Sequence, residues 1–331
     1  MASRLKYLLL ACACATGIAL PFAFAEKAQP TKLQPEKFQP EKLQPTKFQP
    51  MVDGESPAVR SLTVGDLSLI FRPTQENPEA GEDGPSQLIV QTTAKAPGLS
   101  PAVISNSSYP PGTVPIYAVV KLDAKDPVAS LLVQAYTGGA HCCNEYSAIV
   151  PVGDALKVVP IGLFNGGPLD EIPTDLDGDG RVDIAVQDDR FLYEFAPYYA
   201  SWAPPMFLNV VDGEVVDVST RPAFRKALDD YAADALKSCE DLTEEHRNGA
   251  CAVYVAIKAR QGTYAPALKR VSKFINREAL DFLPIGCSVD PGQKACPEDK
   301  QISFNRFEEA LDYHLKRIGY LPKEAPSKPH D

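Results

Sequence analysis

The chain has 331 residues, 44% of them hydrophobic and 23% charged, with a formal net charge of −10 at pH 7. That acidic balance argues against nucleic acid and anionic membrane surfaces as partners, since both repel a polyanion. The apolar content is that of an ordinary globular protein and supports a packed core.

Residues 1–25 read as a secretory signal peptide. Arg4 and Lys6 form a charged start, residues 7–22 an apolar stretch, and Ala23-Phe24-Ala25 a small-residue cleavage site. A membrane anchor and a lipobox ending at Cys12 are the alternatives. Pro21 and the Ala-x-Ala ending favour cleavage over the first, and the short apolar run before Cys12 tells against the second. No later segment reaches the roughly 18 apolar residues of a membrane span. The sequence predicts a periplasmic or secreted protein with no transmembrane segment after signal cleavage.

Residues 26–58 form a Pro-rich linker built on a KxQP repeat, with prolines at 30, 35, 40, 45 and 50 and lysines at 27, 32, 37, 42 and 47. Each proline removes a backbone donor and biases its predecessor to extended geometry, so neither helix nor sheet propagates. The tract is expected to be a disordered, polyproline-II-like tether. Its local positive charge also suits loose attraction to an anionic envelope polymer.

Residues 59–220 read as a β-rich domain. LTVGDLSLIF, SQLIVQTTA, VPIYAVVKL, ASLLVQAYT, EYSAIVPV, ALKVVPIGLF, VDIAVQD, RFLYEF and PMFLNVVDGEVVDV are short apolar or alternating runs punctuated by turn residues. From residue 221 to 322 the period becomes helical. Phe224, Leu228, Tyr231 and Ala235 step by three or four, residues 250–261 and 265–275 form a predicted helical hairpin, and a last helix spans residues 303–318. The stretch GTYAPALKRVSKFI resembles the second half of a tetratricopeptide repeat. Residues 323–331 are an expected disordered tail. The fold class is α+β: antiparallel, incomplete propeller-like or sandwich sheets, followed by a smaller helical domain.

The strongest chemical signal is DLDGDGRVD at residues 175–183. Asp175, Asp177, Asp179 and Asp183 occupy loop positions 1, 3, 5 and 9, and Arg181 at position 7 offers its carbonyl. Hard oxygen donors at alternate positions of a wrapping loop suit Ca²⁺. An EF-hand is excluded, because position 12 is Val186 and the following residues alternate as a strand.

DLDGDGRVDIAV resembles the calcium loop and following strand of FG-GAP or VCBS-type repeats, found in integrin α-chain propellers. The resemblance implies calcium ligation by Asp175, Asp177, Asp179, Arg181 (through its carbonyl) and Asp183, bracing a β-sheet. A fainter copy with Asp123 and Asp126 lies in KLDAKDPVASLLVQAYTGG, 54 residues upstream from Asp123 to Asp177. The segment YTGGAHCC after it resembles stretches in uncharacterised exported bacterial proteins. A β-region of this length cannot hold the several blades of a closed propeller.

Six cysteines remain after signal cleavage: Cys142, Cys143, Cys239, Cys251, Cys287 and Cys296. In an oxidising compartment an even count argues for disulfides. Cys239 with Cys251, and Cys287 with Cys296, are sensible local pairs, although crossed pairings stay open. Cys142 and Cys143 lie beside His141 and behind two glycines. A structural disulfide, free redox thiols with His141 as base, and a metal site are the three readings. Adjacent residues of one strand point to opposite faces, which weighs against a His–Cys dyad.

His246 reads as an exposed polar residue, His314 as a boundary residue beside the last helix's apolar stripe. The aromatic cluster of Tyr193, Phe195, Tyr198, Tyr199 and Trp202 reads as a core edge, with sugar stacking as the functional variant. Asn106-Ser107-Ser108 is a sequon, meaningful only in a eukaryotic secretory pathway. The expected function is a calcium-binding, noncatalytic binding or envelope-associated protein whose partner is another protein or a cell-envelope polymer. An extracytoplasmic enzyme or redox protein using His141, Cys142 and Cys143, and a structural surface spacer, are the alternatives.

Overall fold

The computed structural model describes residues 49–50, 60–72, 86–93, 98–106, 115–138, 143–166, 169, 171–289 and 295–322. All of these fall within the unit Pro35–Asp331. The predicted signal, most of the repeat tract, His141, Cys142, part of the sequon and the C-terminal tail lie outside the described residues.

The strands in chain order are β1 (Gln49–Pro50), β2 (Arg60–Val64), β3 (Leu67–Arg72), β4 (Ser86–Thr92), β5 (Ala102–Asn106), β6 (Ile116–Val120) and β7 (Ser130–Tyr136). They continue with β8 (Asn144–Val152), β9 (Ala155–Phe164), β10 (Ile184–Gln187), β11 (Pro205–Val211), β12 (Glu214–Asp217), β13 (Gly286–Cys287) and β14 (Gln301–Ile302). Every ladder is antiparallel: β2-β3-β4-β5 form one sheet, β1-β6-β7-β8-β9 a second, β10-β11-β12 a third and β13-β14 a small ribbon.

The five-stranded sheet is the middle layer. On one face Tyr117, Leu131, Val133 and Ile149 pack against Leu67, Leu69, Phe71, Leu88 and Val90 of the four-stranded sheet. On the other, Leu132, Tyr146, Ala148 and Val159 pack against Ile184, Leu208 and Val210 of β10 and β11. This explains a feature of the sequence: β7 is buried from Ser130 to Ala135 and reads SLLVQA without alternation, because both its faces are covered.

Two sequence readings change here. RFLYEF is not a strand: Asp189–Phe191 is a 3-10 turn capped by the Asp188 side chain, and Tyr193 and Phe195 take left-handed φ values of 61° and 65°. Side chains in that geometry cannot alternate along a ladder. Conversely, β5 was not among the predicted runs; it is five residues long and follows directly on Pro101.

The helices are α1 (Arg225–Glu240), α2 (Asn248–Arg260), α3 (Tyr264–Val271) and α4 (Phe307–Arg317). The fold is thus α+β, with sheets in the N-terminal part and helices mainly in the C-terminal part. α2 is buried nearly all round, so its apolar residues show no one-sided stripe. Its core takes in Phe191, Phe195 and Ala203 from the segment before the helices. α4 begins later than residue 303 because Gln301 and Ile302 pair with Cys287 and Gly286 and Arg306 is extended.

His314 is fully buried, against the boundary position expected of it, with its ring edge-on to Phe191 and Phe195. His246 is half-buried and edge-on to Tyr199 and Phe282. In the aromatic cluster Phe195 lies in the core and Trp202 packs edge-on to Tyr231, while Tyr193 and Tyr199 face solvent.

Candidate metal centre

The loop from Thr174 to Asp183 is closed at its neck by a backbone bridge, with Asp183 N–H donating to Thr174 O at 2.9 Å. Inside it the carboxylates organise the backbone. Asp175 accepts from the N–H groups of Gly178 and Gly180 at 2.7 and 2.9 Å. Gly178 and Gly180 sit at φ 77° and 87°, the left-handed region in which a side chain is strained. Asp177 accepts from Asp179 N–H at 3.1 Å, and Asp179 from Arg181 N–H at 2.8 Å.

Asp175, Asp177 and Asp183 each bring one carboxylate oxygen within 4.8 Å of the others. Asp183, the last residue of the loop, is 1% exposed and anchors the centre. It accepts from Leu176 N–H and from Asn209 Nδ2, both at 2.7 Å. Asn209, in β11, also donates to Val182 O at 2.9 Å, so the third sheet clamps the loop's exit. Burial pushes the Asp183 carboxyl above the ordinary range; the two hydrogen bonds oppose this and the Asp177 charge adds to it.

Asp179 is not in that group. Its Oδ2 lies 2.7 Å from Arg221 Nη1, which also reaches Asp177 Oδ2 at 2.8 Å. Burial alone would raise the Asp179 carboxyl, but the Arg181 N–H and the Arg221 guanidinium together hold it below the usual range. The Arg181 side chain turns towards the fainter upstream copy, with Nε 3.0 Å from Asp123 Oδ2. Backbone bonds join the same segments: Ala124 N–H to Gly180 O at 2.8 Å and Val182 N–H to Leu122 O at 2.9 Å. The segments around Asp123 and Arg181 therefore lie side by side in space.

The donor set fits a hard divalent cation: carboxylate oxygens, each with lone pairs left after its backbone bonds, on a loop of fixed shape. Asp175, Asp177 and Asp183 would hold it. Sequence reading missed Arg221 and Asn209. Neither carries a local signal, since they enter the loop from 26 to 44 residues away in the chain.

At the other predicted site, Cys143 is buried and disulfide-bonded. Thr137 fixes it in place, donating from its N–H and its hydroxyl to Cys143 O at 2.9 and 3.0 Å. His141 and Cys142 lie outside the described residues. Cys239–Cys251 joins α1 to α2, and Cys287–Cys296 closes the turn between β13 and β14. No helix among the described residues is long and apolar enough to cross a membrane.

The family described as the sll0997 C-terminal domain matches residues 224–319. Over 261 residues the chain is 30% identical to the "Probable thylakoid lumen protein sll0997" of Synechocystis sp. (strain ATCC 27184 / PCC 6803 / Kazusa), covering 78% of this chain and 74% of that protein. Over 211 residues it is 30% identical to the "Uncharacterized protein y4bJ" of Sinorhizobium fredii (strain NBRC 101917 / NGR234), covering 61% of this chain but 32% of that longer relative. No solved structure matches. The chain belongs to the family of sll0997, and its α1–α4 region holds that family's C-terminal domain.

Proposed function

We propose that the protein is an exported, noncatalytic binding or envelope-associated module, periplasmic or secreted, whose sheets are braced by calcium in an FG-GAP/VCBS-like loop. The observation that carries this reading is the convergence of Asp175, Asp177 and Asp183 on a loop clamped to β11 by Asn209. Bound calcium would supply charge neutralisation and a rigid crosslink between donors. Asp183 and Asn209 hold the loop's exit on the third sheet, and Arg181 with Asp123 ties the loop to the middle sheet. The lumenal placement in the name of the relative sll0997 supports an extracytoplasmic address, as do disulfides in an oxidising compartment. The disulfide at Cys143 favours this reading over a free-thiol centre at His141, Cys142 and Cys143. The partner on this reading is a protein or a cell-envelope polymer.

Thermal melting of the whole chain in millimolar calcium and in excess chelator tests it. Ligand binding to the folded state alone stabilises by about 2.7 kcal/mol at 100-fold excess over the dissociation constant, a shift of several degrees. An unchanged midpoint would remove calcium from the account.

A further inference from the structure

Among the described residues, two of the three non-glycine residues at left-handed φ sit two positions apart, Tyr193 at 61° and Phe195 at 65°. A side chain in that region is strained, and glycine or asparagine would sit there at lower cost. At Phe195 the strain serves the core, because its ring is buried edge-on to Phe307 and His314. At Tyr193 it serves no core: that ring is 53% exposed. Strain that delivers a large aromatic ring to solvent is of the kind that gathers at ligand-binding positions.

The ring is also held in place. Tyr198 stacks on it, with centroids 5.2 Å and planes 29° apart, and the Tyr193 N–H donates to Ser201 Oγ at 3.0 Å. Tyr198 donates its hydroxyl to Asn165 Oδ1 at 2.9 Å, and the Asn165 N–H donates in turn to the Asp189 carboxylate. Asp189 lines a cleft of about 950 Å³ between β9, β12 and the chain after α4. A single residue, Asn165, therefore joins the tyrosine pair to the cleft wall.

The charges of the cleft narrow the chemistry of a ligand. Arg190 forks onto Asp188, with Nε–Oδ1 and Nη2–Oδ2 both at 2.6 Å, and Arg260 Nη2 lies 2.8 Å from each oxygen of Asp217. Asp189 is left as a surplus acceptor, met by no cation among the described residues. An anionic ligand is repelled there. A proline-rich segment suits exposed aromatic rings, but its prolines carry no N–H for the carboxylate. A sugar meets both demands: its C–H face packs on the electron-rich face of an aromatic ring, and its hydroxyls donate to a carboxylate alongside. We propose that Tyr193, backed by Tyr198, and Asp189 bind a neutral oligosaccharide, with one sugar ring on the exposed tyrosine and the chain running to Asp189 in the cleft. The site is separate from the acidic loop and stands independently of calcium.

The test is calorimetric titration of the whole chain with maltotriose, cellotriose and tri-N-acetylchitotriose. At least one should bind with a dissociation constant of about 1 mM or tighter. Tyr193→Gly suits the left-handed backbone, so its thermal midpoint should stay within about 3 °C of the natural chain's while saccharide affinity falls at least about tenfold. Asp189→Asn keeps an acceptor for the Asn165 N–H and should weaken binding about threefold or more. Binding of none of the three saccharides overturns the proposal, as does binding indifferent to either substitution. A larger fall in the Tyr193→Gly midpoint also overturns it, since the ring would then be structural. So does binding of n-butylammonium or decaproline at Tyr193 in place of the saccharides, which would make the ligand a cation or a proline-rich segment.

Discussion

Arg221 Nη1 lies 2.7 Å from Asp179 Oδ2 and holds Asp177 by the same nitrogen, so an arginine 42 residues away in the chain supplies the acidic loop with a cation of its own. A metal ion held by Asp177 would compete with the guanidinium for that carboxylate. A unit charge at about 4 Å contributes ~4 kcal/mol at an effective dielectric of ~20, and screening reduces this at a surface. Arg221→Gln is therefore expected to tighten calcium binding by about tenfold in calorimetric titration. Unchanged or weaker binding would show that Arg221 does not compete.

Asp183 and Asp177 should separate the loop's structural role from its metal role. Asp183→Ala strands the Leu176 N–H and the Asn209 amide next to a buried position, which costs about 2–3 kcal/mol without any metal present. Asp177→Asn keeps an oxygen for the Asp179 N–H and should cost under about 1 kcal/mol in chelator, while weakening calcium binding strongly. Urea unfolding in chelator measures the first quantity for both variants. Equal losses would contradict this division.

Much of this architecture is legible in the chain. Alternation, hairpin dipeptides such as Asp212-Gly213 and the 3.6-residue period place most strands and all four helices. The loop's shape follows from its aspartates and glycines. What escapes is non-local. Nothing near Arg221 says that it folds back onto Asp177 and Asp179, and nothing near His314 says that Phe191 and Phe195 will cover it. RFLYEF has strand composition, yet the Asp188 cap and the left-handed residues Tyr193 and Phe195 bend it into the helical core. Local propensity yields there to tertiary packing.

The two described disulfides differ in access. Cys239 and Cys251 are 0% exposed, whereas Cys287 and Cys296 are only half-buried. Under native conditions a thiol reductant should open Cys287–Cys296 first and reach Cys239–Cys251 only through unfolding. Differential alkylation followed by mass mapping reads the order. Replacing Cys239 and Cys251 by alanine should cost about 3 kcal/mol, the loop-closure value for a ring of this size.

His314 should make the protein acid-sensitive through one identifiable group. Its ring is buried, its Nε2 has no partner, and Arg317 Nη2 lies 3.4 Å from Nδ1. Burial first, then the Arg317 charge and Arg190, lower its pKa to about 3, with Asp188 opposing them. A depressed folded-state pKa means that the unfolded chain takes up the proton more readily. The stabilisation is complete above the ordinary value of 6.5 and is lost as pH falls from there towards 3. The loss approaches ~1.4 kcal/mol per pH unit once the unfolded histidine is protonated. Carboxylates add their own terms at lower pH, so the cleanest window lies between 6.5 and 5. Over that window the urea midpoint should fall for the natural chain and stay nearly level for His314→Leu, whatever that substitution costs in absolute stability. Parallel pH slopes for the two proteins would exclude His314 as the responsible group.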